Sequence, residues 1–172
     1  MDARHVLLVG FMGSGKTTVG TLLAERLGMP FVDLDREIVM REARTVSEIF
    51  TESGEAAFRV VESSALSALG SSAPSVVACG GGVVLDEGNR ALLKRLGTVV
   101  YLRVTAEEAC ARIRDGAGRP LLEDAGRPTA HALLSARESL YEAVADVSVS
   151  TTGRTPDQVA SAVVGELTGE AA

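Results

Sequence analysis

Gly10-Phe11-Met12-Gly13-Ser14-Gly15-Lys16-Thr17 fits G-x-x-x-x-G-K-[ST] at every fixed position. It stands directly after an apolar run, Val6 to Gly10, and directly before a helical pattern, Thr17 to Leu27. A strand, a glycine-rich turn and a helix in this order predict a phosphate-binding loop. Glycines let successive backbone N–H groups curl around a polyphosphate at a helix N-terminus, where the dipole and the unpaired donors also favour an anion. Lys16, one of only two lysines in the chain, is placed to reach the β- and γ-phosphates, and the Thr17 hydroxyl to ligate Mg²⁺.

Outward from this loop, short apolar runs recur at Phe31 to Leu34, Ser75 to Cys79, Thr98 to Leu102 and Val147 to Ser150, with helical patterns between them. Alternating strands and helices predict an α/β domain whose parallel sheet is covered on both faces. Thr45 with Glu48, Thr105 with Glu108 and Thr155 with Gln158 each place a hydroxyl three residues before a Glu or Gln, the pattern of a capping box. Pro156 fits a first helical position and Gly28 a left-handed helix stop. Two stretches exceed what simple crossovers need: about 35–69, rich in helix, and about 115–127, Gly-rich and charged. Both read as insertions at one end of the sheet. The tail from Thr168 to Ala172 is expected to fray.

The chain has 172 residues, 46% of them apolar, 17 Lys+Arg against 23 Asp+Glu, and a net charge of −6. That size suits a single domain over 1–172 with a core of its own. Cys79, Cys110, His5 and His131 are too few for a disulfide framework or a spaced zinc site, so the expectation is a reduced, cytoplasmic protein. No stretch approaches the length of a membrane span, and the first residues lack a signal-peptide pattern. Net acidity, the absence of a Lys/Arg run and only six aromatic residues argue against nucleic acid as a partner.

Asp33-Leu34-Asp35 closes the second apolar run, and strand alternation would put both carboxylates on one side. Beside a phosphate loop, one suits the Mg²⁺ shell and the other the proton of an attacking alcohol. Asp35 before Arg36-Glu37-Ile38 fits a helix N-cap equally well. Gly80-Gly81-Gly82 follows the third run at the carboxyl edge where open parallel sheets bind ligands, although a plain turn has the same composition. Arg59, Arg119 and Arg137 stand out by position among 15 arginines, most of which serve solvated faces.

Taken in order, the loop Gly10 to Thr17, Asp33-Leu34-Asp35, Phe58-Arg59, Gly80 to Gly82, Arg119-Pro120-Leu121-Leu122 and Arg137 followed by Leu140-Tyr141 resemble the shikimate kinase family over nearly the whole chain. The resemblance implies a three-layer, nucleoside-monophosphate-kinase-like P-loop fold with a five-stranded parallel sheet, a helical substrate-binding insertion and a lid loop. It also implies ATP and Mg²⁺, transfer of the γ-phosphoryl to the 3-hydroxyl of shikimate, a place in chorismate and aromatic amino-acid biosynthesis, and a monomer. Residue by residue, Gly13, Ser14, Gly15, Lys16, Thr17 and Thr18 would hold ATP, with Arg112 and Pro156 at the adenine. Thr17 and Asp33 would serve Mg²⁺, and Asp35 would bond the attacking hydroxyl. Arg59 and Arg137 would hold the shikimate carboxylate, Gly80, Gly81 and Gly82 would line its pocket, and Arg119 would act from the lid.

Three rivals carry the same loop. A switch GTPase needs an Asn-Lys-x-Asp segment, whereas the single asparagine, Asn89, is followed by Arg90. A gluconate or nucleotide kinase is the nearest enzymatic rival, and the triple glycine and the Arg59/Arg137 pair favour the shikimate kinase resemblance over it. A non-catalytic ATP-binding regulator has no need of Lys16, Thr17 and Asp33 together.

Overall fold

The computed structural model describes residues 4–114 and 126–169. Five parallel strands, β1 (His5–Val9), β2 (Phe31–Asp33), β3 (Val76–Ala78), β4 (Gly97–Arg103) and β5 (Val147–Ser150), form one sheet in the order β2-β3-β1-β4-β5. Leu7 pairs with Val77 on one side and Val99 on the other, so like faces line up across the centre of the sheet. Every residue of β1 and β3 is buried, while the edge strands β2 and β5 are only partly so.

Strand alternation divides the core in two. Leu7, Val9, Val77, Val99 and Tyr101 face a cluster built on α2 (Leu34–Glu42), α3 (Val46–Ala68), α4 (Glu87–Leu96) and α6 (Gly126–Val144). Val6, Leu8, Val76, Val100 and Leu102 face α1 (Lys16–Leu27) and α7 (Pro156–Thr168) through Val19, Leu23, Val159 and Val163. This is the expected three-layer α/β arrangement, with continuous apolar strands because both faces are covered. The seventh helix among the described residues, α5 (Ala106–Arg114), ends just before residue 115.

Most of the sequence signals for helix ends hold; the Thr105 box and the cap at Asp35 do not. Thr45 and Thr155 form complete capping boxes with Glu48 and Gln158, Pro156 takes the first turn of α7, and Gly28 ends α1 in the left-handed region at φ 62°. Thr105 accepts from the Glu108 backbone N–H at 3.3 Å, but the Glu108 side chain is turned elsewhere. The expected insertion at 35–69 is α2 and α3, and α3 is broken at Gly54 (φ 82°, ψ 170°) into two segments. His5 is a buried core histidine: its Nδ1 accepts from the Ser75 backbone N–H at 3.1 Å and its Nε2 meets the Leu69 carbonyl at 3.0 Å. Both cysteines are free, and no helix among the described residues is long and apolar enough to cross a membrane. The stretch expected to form a lid, 115–127, lies, but for its last two residues, outside the described residues, as do Arg119 and the tail from 170.

Candidate active site

The loop between β1 and α1 turns on glycines with positive φ, Gly13 at 77° and Gly15 at 88°. A Cβ at Gly13 would also lie 2.9 Å from the Ala109 carbonyl of α5, so any larger residue would push loop and helix apart. Gly15 is the N-cap of α1 and brings no side-chain cap, which leaves the first N–H groups of the helix aimed into the loop. Lys16 is buried, and its Nζ donates to the carbonyls of Gly10 (2.8 Å) and Phe11 (3.0 Å) along the loop. Buried ammonium, aligned backbone donors and a helix dipole together make a site for a polyphosphate.

Thr17 Oγ1 donates to Asp33 Oδ2 at 2.8 Å, so the hydroxyl and carboxylate expected to share a metal ion meet directly. The route to this meeting differs from the strand argument. β2 stops at Asp33, whose carboxylate caps α2 by accepting from Arg36 N at 3.3 Å, and Asp35 lies in the first helical turn. The N-cap is thus Asp33 and not Asp35, and helix geometry turns the two carboxylates into different spaces.

Asp35 faces a cavity of about 400 Å³ on the β2–β3 side of the loop. Gly80, Gly81, Gly82, Arg59 and Arg137, the residues expected to hold an acceptor, all line the same cavity. Its apolar wall comes from Met12, Val46, Phe50 and Phe58. None of these glycines has a left-handed φ, and what matters is the room they leave: a Cβ on Gly82 would collide with the Arg59 guanidinium, and one on Gly80 would lie 2.8 Å from Glu62 Oε1 and 2.9 Å from Asp35 Oδ1.

Two polar side chains given no role in the sequence reading brace the cavity: Glu62 in its lining and Tyr141, bonded to the lining residue Gly81. Glu62, fully buried, accepts from Arg59 Nη1 at 2.8 Å, while Arg59 Nη2 donates to Glu55 at 2.9 Å. Burial pushes the Glu62 carboxyl above its ordinary range, against the pull of the Arg59 hydrogen bond and charge, and Asp35 adds to the rise. Burial alone would lower the Arg59 pKa, but Glu62 and Glu55 outweigh it and hold the guanidinium charged. The signal was present, since Glu62 is three residues after Arg59 on one helix face. Tyr141, also fully buried and four residues after Arg137, donates to the Gly81 carbonyl at 2.5 Å and hydrogen-bonds Arg137. Cys79 lies under the cavity floor, and burial drives its thiol far above the ordinary range, so it stays protonated.

On the opposite side of the loop, a second pocket of about 240 Å³ is lined by Gly13, Ser14, Gly15 and Thr18 together with Arg112 and Pro156, all six expected at ATP. Thr151 and Arg154, which the sequence reading did not single out, join it from the connection between β5 and α7, with Val19 and Val159 from the two helices beside it.

The shikimate kinase family profile matches residues 12–168. The chain belongs to the shikimate kinase family. A shikimate kinase from Geobacter metallireducens is 43% identical over 98% of this chain and 94% of its own length. One from Salinispora arenicola is 49% identical over 94% of this chain and 96% of its own. Among solved structures, the shikimate kinase from Acinetobacter baumannii in complex with shikimate superposes with a TM-score of 0.94 at 36% identity, covering 98% of this chain and 95% of that one.

Proposed function

We propose that this chain transfers the γ-phosphoryl group of ATP to the 3-hydroxyl of shikimate, giving shikimate 3-phosphate and ADP. The observation that carries the reading is a cavity placing two arginines, Arg59 and Arg137, and the carboxylate of Asp35, with Glu62 paired to Arg59, beside a phosphate loop, in a chain of this family. Two guanidinium groups suit a carboxylate acceptor by charge and by their N–H donors, although in Arg59 each Nη already donates to one carboxylate, Glu62 or Glu55. Asp35 accepts the proton of the attacking hydroxyl at the loop-facing side of the cavity. Gly80 to Gly82 let the acceptor ring approach backbone closely, with Tyr141 and Glu62 holding Gly81, Arg137 and Arg59 in place.

The smaller pocket takes the nucleotide, with Lys16 and the α1 N-terminus on its phosphates. Thr17 and Asp33 are the residues that would hold Mg²⁺, which supplies charge neutralisation to the phosphate oxygens when bound. The protein's part is then positioning and electrostatic stabilisation, since phosphoryl transfer asks little covalent chemistry of its side chains.

A coupled assay with ATP and Mg²⁺ and separate acceptors (shikimate, gluconate, nucleoside monophosphates) tests the reading. Turnover with shikimate alone is the expected result. Turnover with gluconate in its place would move the chain to another small-metabolite kinase, and no turnover with nucleotide bound would leave a regulator.

A further inference from the structure

Of the three helix starts marked in the sequence, two close their capping boxes and the third does not. At α5 the Glu108 carboxylate, which would ordinarily return to the Thr105 backbone, is instead engaged by Arg112 Nη2 at 2.6 Å and Gly153 N at 3.3 Å, with a further hydrogen bond from Thr152. Thr105 N–H is taken over by Thr152 Oγ1 at 3.4 Å. A glutamate that forgoes its local cap for Arg112 one turn along its own helix, and for Thr152 and Gly153 more than forty residues away, is held in part for a tertiary reason. Burial raises its pKa, but Thr152, Gly153 and Arg112 outweigh that and keep it ionised below the ordinary carboxylate range.

Arg112 receives the benefit. Besides Glu108, it donates from Nη2 to the Thr151 carbonyl (2.9 Å) and from Nη1 to Thr151 Oγ1 and the Gly13 carbonyl (both 3.1 Å). Thr151 is itself buried and bonded through its N–H and its hydroxyl to the Arg103 carbonyl. The guanidinium is therefore pinned along its edge to α5, to the connection after β5 and to the phosphate loop. A guanidinium bonded along its edge keeps its flat faces free for stacking, and Arg112 lines the smaller pocket together with Pro156.

We infer that Glu108 is a positioning residue for the nucleotide: it locks the Arg112 guanidinium between the phosphate loop and the β5–α7 connection, so that a purine base meets a prearranged flat surface. The inference rests on the reading of the smaller pocket as the nucleotide site. Glu108→Gln keeps the shape and an acceptor for Gly153 but removes the charge that holds Arg112. Isothermal titration with ADP should show binding weakened about fivefold, the scale of a partly exposed ion pair. The KM for ATP should rise by the same factor, with kcat at saturating ATP and the KM for shikimate within twofold of the parent.

The cycle with Arg112→Ala separates the possible failures. Arg112→Ala should weaken ADP binding more than Glu108→Gln does, and adding Glu108→Gln to it should cost nothing further. An equal additional loss in that background, or unchanged ADP binding in Glu108→Gln while Arg112→Ala is impaired, overturns the role of Glu108. Unchanged ADP binding in Arg112→Ala overturns the assignment of the pocket itself. A lower Tm for Glu108→Gln with unaltered ADP binding would reduce Glu108 to a helix brace and also refute the inference.

Discussion

The two pockets beside the phosphate loop recognise by different means. The larger one is made of charged side chains taken out of water: Glu62 is fully buried, Arg137 is 8% exposed, and Arg59 lies between two carboxylates. The smaller one is made of glycines, hydroxyls, two valines and a proline, with Arg154 and with Arg112 tied to the phosphate loop. Buried charges cost desolvation and must be partnered, so they discriminate strongly between ligands that complete the pairing and those that do not. Backbone donors bind any polyphosphate, and side-chain substitutions do not remove them. Selectivity for the acceptor should therefore be fragile to mutation, and nucleotide binding comparatively robust.

The largest expected effect is on the shared loop. Lys16→Ala should fold normally and lose about 10³-fold in kcat, because the ammonium meets charge that develops on the transferring group. Near-normal turnover in the folded variant would remove the loop from catalysis. Asp35→Asn should lower kcat about 10²-fold with ADP affinity unchanged. Its Tm should also be unchanged, because the N-cap of α2 is Asp33. A drop in Tm with full turnover would return Asp35 to a structural role.

On the acceptor side alone, Arg137→Ala should raise the KM for shikimate by some thirtyfold, about 2 kcal/mol for removing one partner of a buried charge pair. Equal damage to ADP binding, measured by titration, would abolish the distinction between the pockets. Gly82→Ala sharpens the same point by displacement. The added methyl strikes the Arg59 guanidinium, the end of a flexible side chain, so stability should hold while the KM for shikimate rises about fivefold. Thr155→Ala, which opens the capping box of α7 beside the smaller pocket, should cost about 1 kcal/mol of stability and leave the shikimate KM alone. Thermal denaturation with steady-state kinetics checks both.

Local patterns carried much of this architecture. The strand runs, the phosphate loop and the caps at Thr45, Thr155 and Gly28 depend on residues a few positions apart, where sequence spacing and spatial distance nearly coincide. The Asp33–Asp35 pair shows where that coincidence ends. Alternation presumed a continuing strand, whereas the Asp33 carboxylate starts a helix one residue later. Glu108 shows the same limit: its capping pattern was correct for the backbone and wrong for the side chain, because Arg112 one turn along the helix and Gly153 from outside it took the carboxylate instead.

What the sequence determined by itself is the set of parts: a phosphate loop after β1, alternating strands and helices, and the arginines, glycines and carboxylates whose order marks the family. Those are properties of short-range spacing and residue chemistry. Only the tertiary structure decided that Asp35, Arg59, Gly82 and Arg137 border one cavity while Arg112 and Pro156 border another, and that Tyr141 joins Arg137 to Gly81. These contacts bring together ends of different strands and helices. The packing of the sheet's two faces sets them, because each helix must bury its apolar side before its polar residues have a place.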